Sequence, residues 1–233
     1  MWLEIHGTRI LDGKRIMFNV EEMSKYICYF TNCIEDPQKL VNEIELSNDD
    51  QLIKRQQLTQ WSNWAASNAP EDIYGQNMFT RFSVLEEDVV DKRTKYIVTE
   101  IKKAFFSCSE MYKEKYNFPY EVNLDDEFGI KKYNVGQGLG PHADQYDGNM
   151  RLRFSLVLYL NDDYEGGELW FPNHNIEIKP KPGSLAIFPA YEPFLHASKD
   201  ILSGVKYMCP AFWMNTGRWE KGKFFLDELE KVS

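Results

Sequence analysis

The second half of the chain, from about residue 120 onward, is broken into short apolar segments separated by turns of Gly, Pro, Asn and Asp. These segments are rich in β-branched and aromatic residues, which fit strands better than helices. Many short strands joined by turns are typical of an antiparallel sandwich or jelly roll, and we predict that class of fold here. Turns are predicted at 161–167 and 203–204. The predicted strands span 128–133, 151–160, 168–171, 176–178, 184–188, 195–197 and 206–213.

The first half is predicted to be mainly helical, after short N-terminal strands around a turn at Asp12–Gly13. Asp36 followed by Pro37 indicates a helix start, because Asp caps helices and Pro is tolerated at the first helical position. A stripe of apolar residues indicates a longer helix that ends before Pro119. Strands are predicted at 1–20 and 26–30, and helices at 37–46, 52–64, 89–116 and 219–232.

The size of the chain suits one domain. It has 233 residues, of which 43% are hydrophobic, and this is enough for a full core. No internal repeat, low-complexity tract or linker divides it. We therefore expect a single α+β domain over 1–233. In it, the helices and strands of 1–120 support a β core over 121–215, and a helix within 216–233 closes the fold.

Charge, cysteines and the N-terminus indicate the environment of the protein. A formal net charge of -9 argues against a nucleic-acid-binding surface, which needs clustered Lys and Arg. The four cysteines form no Cys-x-x-Cys pair, so free thiols in a reducing compartment are expected. The N-terminus lacks a basic region followed by an apolar run, and no segment is long enough to span a bilayer. We expect a cytoplasmic protein with no signal peptide and no membrane or nucleic-acid partner, whose oligomeric state the sequence does not predict.

Two potential metal ligands, His142 and Asp144, are two residues apart in the sequence. In an extended strand, alternate side chains point to the same face, so both would enter the same cavity. A second histidine would complete the 2-His-1-carboxylate triad, which binds Fe(II) and leaves three positions open. His196, at the end of an apolar block, is the best candidate. His174 lies in a polar turn and is expected to be solvated, and His6 has no acidic or histidine partner nearby in sequence.

Lys206 opens an otherwise apolar predicted strand. A lysine buried at such a position costs free energy unless it is paired. Two interpretations remain open at this point. The side chain either reaches the solvent at the strand end or provides a fixed cation for an anionic ligand, such as a dicarboxylate that chelates the metal at its other end.

Between Tyr133 and Trp213 the chain resembles the 2-oxoglutarate/Fe(II) dioxygenases of the prolyl 4-hydroxylase type. Each motif alone is weak, but the ordered set is specific, because every element has a separate role in one site. The set comprises Tyr133, His142-Ala143-Asp144, Arg153, Ser155, the segments 159–161, 165–172 and 181–188, His196 and Lys206.

The resemblance implies a double-stranded β-helix, that is, a cupin-like jelly roll, with supporting N-terminal helices. It implies an enzyme in which His142, Asp144 and His196 hold Fe(II). The co-substrates would be 2-oxoglutarate and O2, and ascorbate would serve as the reductant.

The resemblance also assigns the co-substrate site. Lys206 would pair with the distal carboxylate of 2-oxoglutarate, Tyr133 would hydrogen-bond the same group, and Ser155 would lie near it. Leu139 stands where many relatives have a tyrosine, and the segment 145–150 departs from the common pattern at the substrate mouth.

Three functions follow from the resemblance. The first is hydroxylation of an unactivated carbon, chiefly of a prolyl residue in a peptide or protein, as in procollagen-proline 4-dioxygenases. The second is the same chemistry on a free amino acid or other small molecule. The third is a jelly-roll binding module that has lost activity, which the joint presence of the triad and Lys206 disfavours.

Overall fold

The structure is a computed structural model, and it describes residues 5–11, 14–49, 62–63, 80–84, 92–119, 121–124, 128–145 and 151–214. Three predicted features lie outside these residues, namely the turn at Asp12–Gly13, the helix at 219–232 and most of the helix at 52–64. The described part of the last segment, Ser62–Asn63, is a short strand, so the predicted helix is wrong there.

The described residues contain fifteen strands and two α-helices. Strands β1 to β5 are Ile5–Leu11, Lys14–Ser24, Ile27–Thr31, Ser62–Asn63 and Thr80–Val84. Strands β6 to β10 are Phe128–Tyr133, Leu139–His142, Leu152–Tyr159, Tyr164–Gly166 and Leu169–Phe171. Strands β11 to β15 are Ile176–Ile178, Ser184–Pro189, His196–Ser198, Ile201–Gly204 and Lys206–Met214. Helices α1 and α2 are Pro37–Asp49 and Lys92–Tyr116.

The strands form three antiparallel sheets. The large sheet has nine strands in the order β1-β2-β3-β12-β8-β15-β6-β5-β4, and a smaller sheet has four in the order β11-β10-β13-β7. Strands β9 and β14 pair separately. Strands of the first half thus extend the large sheet on both sides, since β3 pairs with β12 and β5 pairs with β6.

The helices follow the sequence signals closely. The amide of Lys39 donates to Asp36 Oδ1 at 2.9 Å, which confirms the predicted cap of α1. Helix α1 continues to Asp49, beyond the predicted end at residue 46. Helix α2 ends at Tyr116, before Pro119, as predicted. Among the described residues, no helix combines the length and the apolar character that crossing a bilayer requires.

Two segments predicted as turns contain strands. Strand β9 lies within 161–167 and pairs with β14, whose last residues fall in 203–204. These turn predictions are wrong for the paired residues. Gly166 has φ +75 and Gly204 has φ +77, so each pairs in the sheet while adopting a backbone conformation typical of turns. Each glycine is the last residue of its strand, so the pairing extends as far as the residue with the turn-like backbone.

The first core lies between the large sheet and the helices. Phe154, Leu156 and Leu158 of β8 alternate along the strand and form one cluster with Ile101 and Phe105 of α2. This alternation follows from the period of two in a strand, and the facing helix presents the apolar stripe predicted from the sequence. The helical layer therefore covers one face of β8.

The second core lies between the large and small sheets. Val157 and Tyr159, on the other face of β8, form a cluster with Phe188 of β12 and with Leu169 and Phe171 of β10. Two sheets that enclose an apolar interior make the predicted jelly roll. Both faces of β8 are buried, and one of them lines the interior in which the candidate site lies.

We predict that Leu158→Ala destabilises the fold by about 2–5 kcal/mol, because it leaves a cavity in the first core. Leu158 is fully buried, whereas Leu202 is 70% exposed, so Leu202→Ala is the matched control. Urea unfolding followed by circular dichroism measures both. Equal midpoints for the two variants would contradict the assignment of Leu158 to the core.

Candidate metal centre and adjoining pocket

The pairing of β7 with β13 brings the two predicted histidine ligands together. His142 ends β7 and His196 begins β13, and the two residues are opposite each other in the register. Their ring centroids are 4.4 Å apart. Asp144 follows two residues after His142, and one ligand atom from each of the three residues lies within 4.8 Å of the others. The structure therefore assembles a cluster with the composition of the predicted triad.

Both histidines are oriented by backbone carbonyls. His142 Nδ1 lies 2.8 Å from the carbonyl oxygen of Gly140, and His196 Nδ1 lies 3.4 Å from that of Phe194. A carbonyl oxygen only accepts, so each Nδ1 carries the proton and donates it. In a neutral ring whose proton is on Nδ1, Nε2 has the lone pair that binds a metal ion.

Asp144 is positioned by Ser155, whose hydroxyl donates to Asp144 Oδ2 at 2.5 Å. The Nε2 atoms of both histidines lie close to the same carboxylate. His196 Nε2 is 3.3 Å from Oδ2, and His142 Nε2 is 3.5 Å from Oδ1. Burial alone would raise the pKa of Asp144, but the two histidines hold it well below its usual range. The carboxylate is therefore ionised.

The pKa of His196 is lowered as well. Burial lowers its pKa, and this effect outweighs the attraction of Asp144 for the imidazolium. Its ring lies 4.5 Å from that of Phe188 and 6.2 Å from that of Phe171, which keeps the surroundings apolar. One carboxylate and neutral imidazole nitrogens are the ligands that hold Fe(II) in non-haem centres, so the side chains present fit that metal.

A pocket adjoins the cluster and contains the other predicted site residues. Its lining combines a polar end at the cluster, a buried lysine and an apolar wall. The residues that line it include His142, Asp144, His196, Ser155, Tyr133, Lys206, Leu139, Val157, Tyr159, Ser198, Met208 and Phe212. The predicted metal and co-substrate residues therefore share one cavity.

Lys206 is buried, with 1% of its surface exposed, so the interpretation in which it reaches solvent is wrong. Its Nζ donates to the carbonyl oxygen of Gly167 at 2.6 Å and to Ser198 Oγ at 2.8 Å. Within the described part of the chain, no carboxylate forms an ion pair with it, although the charge of Glu168 acts on it from a distance. Burial lowers the pKa of Lys206 to about 7.

Tyrosine rings surround the ammonium group. Tyr133 lies opposite Lys206 in the pairing of β6 with β15, and Nζ is 5.5 Å from the centroid of its ring. The ring centroid of Tyr159 is 5.2 Å from Nζ. These contacts partly stabilise the cation, but they provide no counter-charge. The buried ammonium group accordingly fits an anionic ligand.

Gly167 lies against the side chain of Lys206. It has φ +67, and a Cβ atom there would lie 3.2 Å from Lys206 Cδ and 2.6 Å from Ile201 Cδ1. The lysine stem therefore passes directly over a residue that has no side chain. The Gly166–Gly167 pair is the sequence signal for this close approach, although by itself such a pair predicts only a turn.

Sequence reasoning missed some of the pocket residues and placed others differently. Ser155 lines the pocket as predicted, but its bond to Asp144 was not foreseen. Ser198 was missed, although it lies two residues after His196 on a strand, the same spacing that relates His142 to Asp144. Leu139 lines the wall, while 146–150 lie outside the described residues.

The remaining histidines lie outside the cluster. His174 is half-buried, its ring stacks on Phe194 with centroids 4.9 Å apart and its Nε2 is buried, so it is less solvated than predicted, although it does not belong to the cluster. His6 lies on β1.

Comparison with known families supports the resemblance. Residues 128–215 match the sequence model of the 2OG-Fe(II) oxygenase superfamily. This region contains the three clustered side chains as well as Tyr133, Ser155 and Lys206. The resemblance to 2-oxoglutarate/Fe(II) oxygenases is thereby confirmed over this region.

Curated relatives resemble part of the chain. A PKHD-type hydroxylase of Synechococcus sp. (strain CC9902) is 36% identical over 85 residues, which are 34% of this chain and 37% of the relative. One of Prochlorococcus marinus (strain NATL1A) is 34% identical over 80 residues, 32% of this chain and 35% of the relative. The chain therefore spans about a third of the length of the curated relatives it matches.

Solved structures share the fold. The viral collagen prolyl hydroxylase of Paramecium Bursaria Chlorella virus-1, in its 2OG complex, has a TM-score of 0.58 at 18% identity and covers 83% of this chain and 98% of its own. A prolyl hydroxylase of Trichoplax adhaerens, in complex with a hypoxia inducible factor peptide fragment, has a TM-score of 0.60 at 15% identity and covers 90% of this chain and 88% of its own. The predicted jelly roll is confirmed.

We predict that Ser155→Ala weakens binding of Co(II) by about ten- to a hundredfold, because the hydroxyl fixes the orientation of Asp144. Ser203, which is exposed on β14, provides the matched control Ser203→Ala. Titration of the metal-free protein, monitored by the visible absorbance of Co(II), measures the affinity. An unchanged affinity in Ser155→Ala would show that Asp144 does not need this hydrogen bond.

Proposed function

We propose that the protein is an Fe(II)- and 2-oxoglutarate-dependent dioxygenase that hydroxylates an unactivated carbon, chiefly in a prolyl residue of a peptide or protein. One observation carries the proposal. A single pocket contains two histidines and a carboxylate in ligand geometry, together with a buried ammonium group that has no carboxylate partner among the described residues. A dicarboxylate bound between them would meet a metal at one end and a cation at the other.

The proposed metal ligands are His142, Asp144 and His196. Support comes from the backbone carbonyls that accept from both Nδ1 atoms, which directs the Nε2 atoms to a metal, and from the lowered pKa of Asp144, which favours the carboxylate form. The same ligands accept other divalent ions, so Zn, Ni and Co are expected to bind without supporting turnover.

The proposed co-substrate site is formed by Lys206 and Tyr133, with Ser155 nearby. When bound, Fe(II) and 2-oxoglutarate supply the oxidising chemistry, in which oxidation of the keto acid by O2 to succinate and carbon dioxide is coupled to insertion of oxygen into a C–H bond. Lys206 holds the distal carboxylate and thereby fixes which end of the acid faces the histidines. We also propose ascorbate as the reductant that keeps the iron ferrous.

The chain itself contributes position and exclusion of water. Ser155 fixes Asp144, and two backbone carbonyls fix the imidazole rings. The wall formed by Leu139, Val157 and Met208 is apolar, which keeps water from the reacting groups. These residues act before any substrate arrives, so the site is preorganised.

The proposal of a prolyl substrate is supported by similarity rather than by the pocket. The solved structures that share the fold are prolyl hydroxylases, and that of Trichoplax adhaerens is in complex with a peptide fragment.

We also propose that 1–233 forms a single catalytic domain. The four cysteines are buried and form no disulfide, which supports a reducing, cytoplasmic environment.

Succinate release in the presence of Fe(II), ascorbate and 2-oxoglutarate tests the chemistry, and mass spectrometry of a proline-containing peptide library tests the substrate. We expect a gain of one oxygen atom on a prolyl residue, and none with His142→Ala. Oxygen gain on free amino acids alone would replace the peptide substrate by a small molecule. Succinate release that persists in His142→Ala would contradict the metal assignment.

We predict that Lys206→Ala raises the KM for 2-oxoglutarate by about a hundredfold or more, since a charge-assisted contact is lost, while Co(II) affinity stays nearly unchanged. Lys199 is the matched control, because its side chain is 40% exposed and pairs with Glu177 on the surface. Steady-state kinetics and metal titration measure the two effects. Equal loss of metal and co-substrate binding would mean that Lys206 serves the fold alone.

We also predict that affinity for 2-oxoglutarate falls as pH rises above neutrality. In the ligand-free protein, burial lowers the pKa of Lys206 to about 7, so the ammonium form dominates below this pH and is lost above it. Because the carboxylate binds the charged form, Kd is expected to be flat below pH 7 and to rise by roughly tenfold per pH unit above it. Calorimetric titration of the Co(II)-loaded protein between pH 6 and 9 measures this. Pyruvate has no distal carboxylate, and a rise of the same size for pyruvate would contradict the role of Lys206.

A further inference from the structure

We propose that Ser198 is a further hydrogen-bond donor to the distal carboxylate of 2-oxoglutarate, in addition to Lys206 and Tyr133, and that it forms a clamp with Lys206. The inference rests on the proposed function, since it names a further residue of the same co-substrate site.

The ammonium group of Lys206 has one more hydrogen-bond donor than its contacts with the described residues use. An ammonium group has three N–H donors and no acceptor. Two of the donors are directed to the carbonyl oxygen of Gly167 at 2.6 Å and to Ser198 Oγ at 2.8 Å. One donor remains for a ligand, and the other two hold the group in place within the pocket lining.

The hydroxyl group of Ser198 can also donate a hydrogen bond to a ligand. Because Lys206 only donates, Ser198 Oγ is the acceptor in their contact, and its own hydrogen is left to donate. In the part of the chain that the structure describes, no side chain or carbonyl accepts it. Ser198 lines the pocket alongside Lys206, so a carboxylate that meets the ammonium group also comes within reach of the hydroxyl.

The fold explains why this serine can serve the co-substrate. His196 and Ser198 are the first and last residues of β13, so strand alternation directs both side chains to the same face. Both line the pocket. One short strand thus carries a proposed iron ligand and a proposed carboxylate donor, and it fixes the spacing between these two protein groups.

The clamp makes a specific demand on the ligand. A carboxylate with two oxygens accepts from both donors, whereas a keto acid that ends in a methyl group accepts from neither. Loss of the serine hydroxyl is therefore expected to weaken binding of the dicarboxylate and leave binding of a monocarboxylate unchanged. A serine needed only for folding would affect both ligands alike.

The test compares Ser198→Ala, Ser198→Thr and the exposed control Ser203→Ala, each loaded with Co(II), by calorimetric titration with 2-oxoglutarate and with pyruvate. We expect Ser198→Ala to weaken 2-oxoglutarate binding by about ten- to a hundredfold, the effect of losing one hydrogen bond to a charged group. Ser198→Thr keeps a hydroxyl and is expected to stay within about threefold of the wild type. Pyruvate affinity is expected to be the same in all the proteins, which also reports that the site is folded.

The outcomes separate this inference from the proposed function. If the wild type binds 2-oxoglutarate and Lys206→Ala loses it, but Ser198→Ala binds normally, the clamp is refuted and the function stands. Equal losses of pyruvate and 2-oxoglutarate binding in Ser198→Ala also refute the clamp. If the wild type binds no 2-oxoglutarate, the proposed function fails, and the inference fails with it.

Discussion

The antiparallel pairing of β7 with β13 is the interaction on which the candidate site depends. It places His142 opposite His196, although 53 intervening residues separate them in the chain. Backbone hydrogen bonds of a sheet fix that separation more firmly than contacts between side chains could. A register shift of one residue would turn His196 to the other face and remove it from the cluster. The candidate metal centre is thus a product of sheet register.

The buried ammonium group of Lys206 is the second constraint. Removing a cation from water is expensive, and two acceptors and several aromatic rings offset only part of that cost. The lowered pKa of Lys206 reflects the part of this cost that the contacts do not offset. A folded protein that tolerates such a buried cation gains a site with a strong preference for an anion, since a bound carboxylate would supply the missing counter-charge.

The sequence predicted the fold class and the placement of His142 and Asp144 on one face, because both depend on local regularities. The spacing of His142 and Asp144 and the alternation along β8 follow from the period of two in a strand. It did not predict that Ser155 binds Asp144 or that Ser198 holds Lys206, since these contacts depend on which strands become neighbours. It also predicted turns where β9 and β14 pair, because each of these strands ends in a glycine typical of turns. Long-range pairing, rather than local preference, decided each of these positions.

Strand β8 has no face in contact with water, because Leu156 and Leu158 pack toward the helices while Ser155 and Val157 face the interior. A substitution on either face must be accommodated by a closely packed partner on that side. Substitutions are therefore expected to be tolerated better in the connecting segments than on either face of β8.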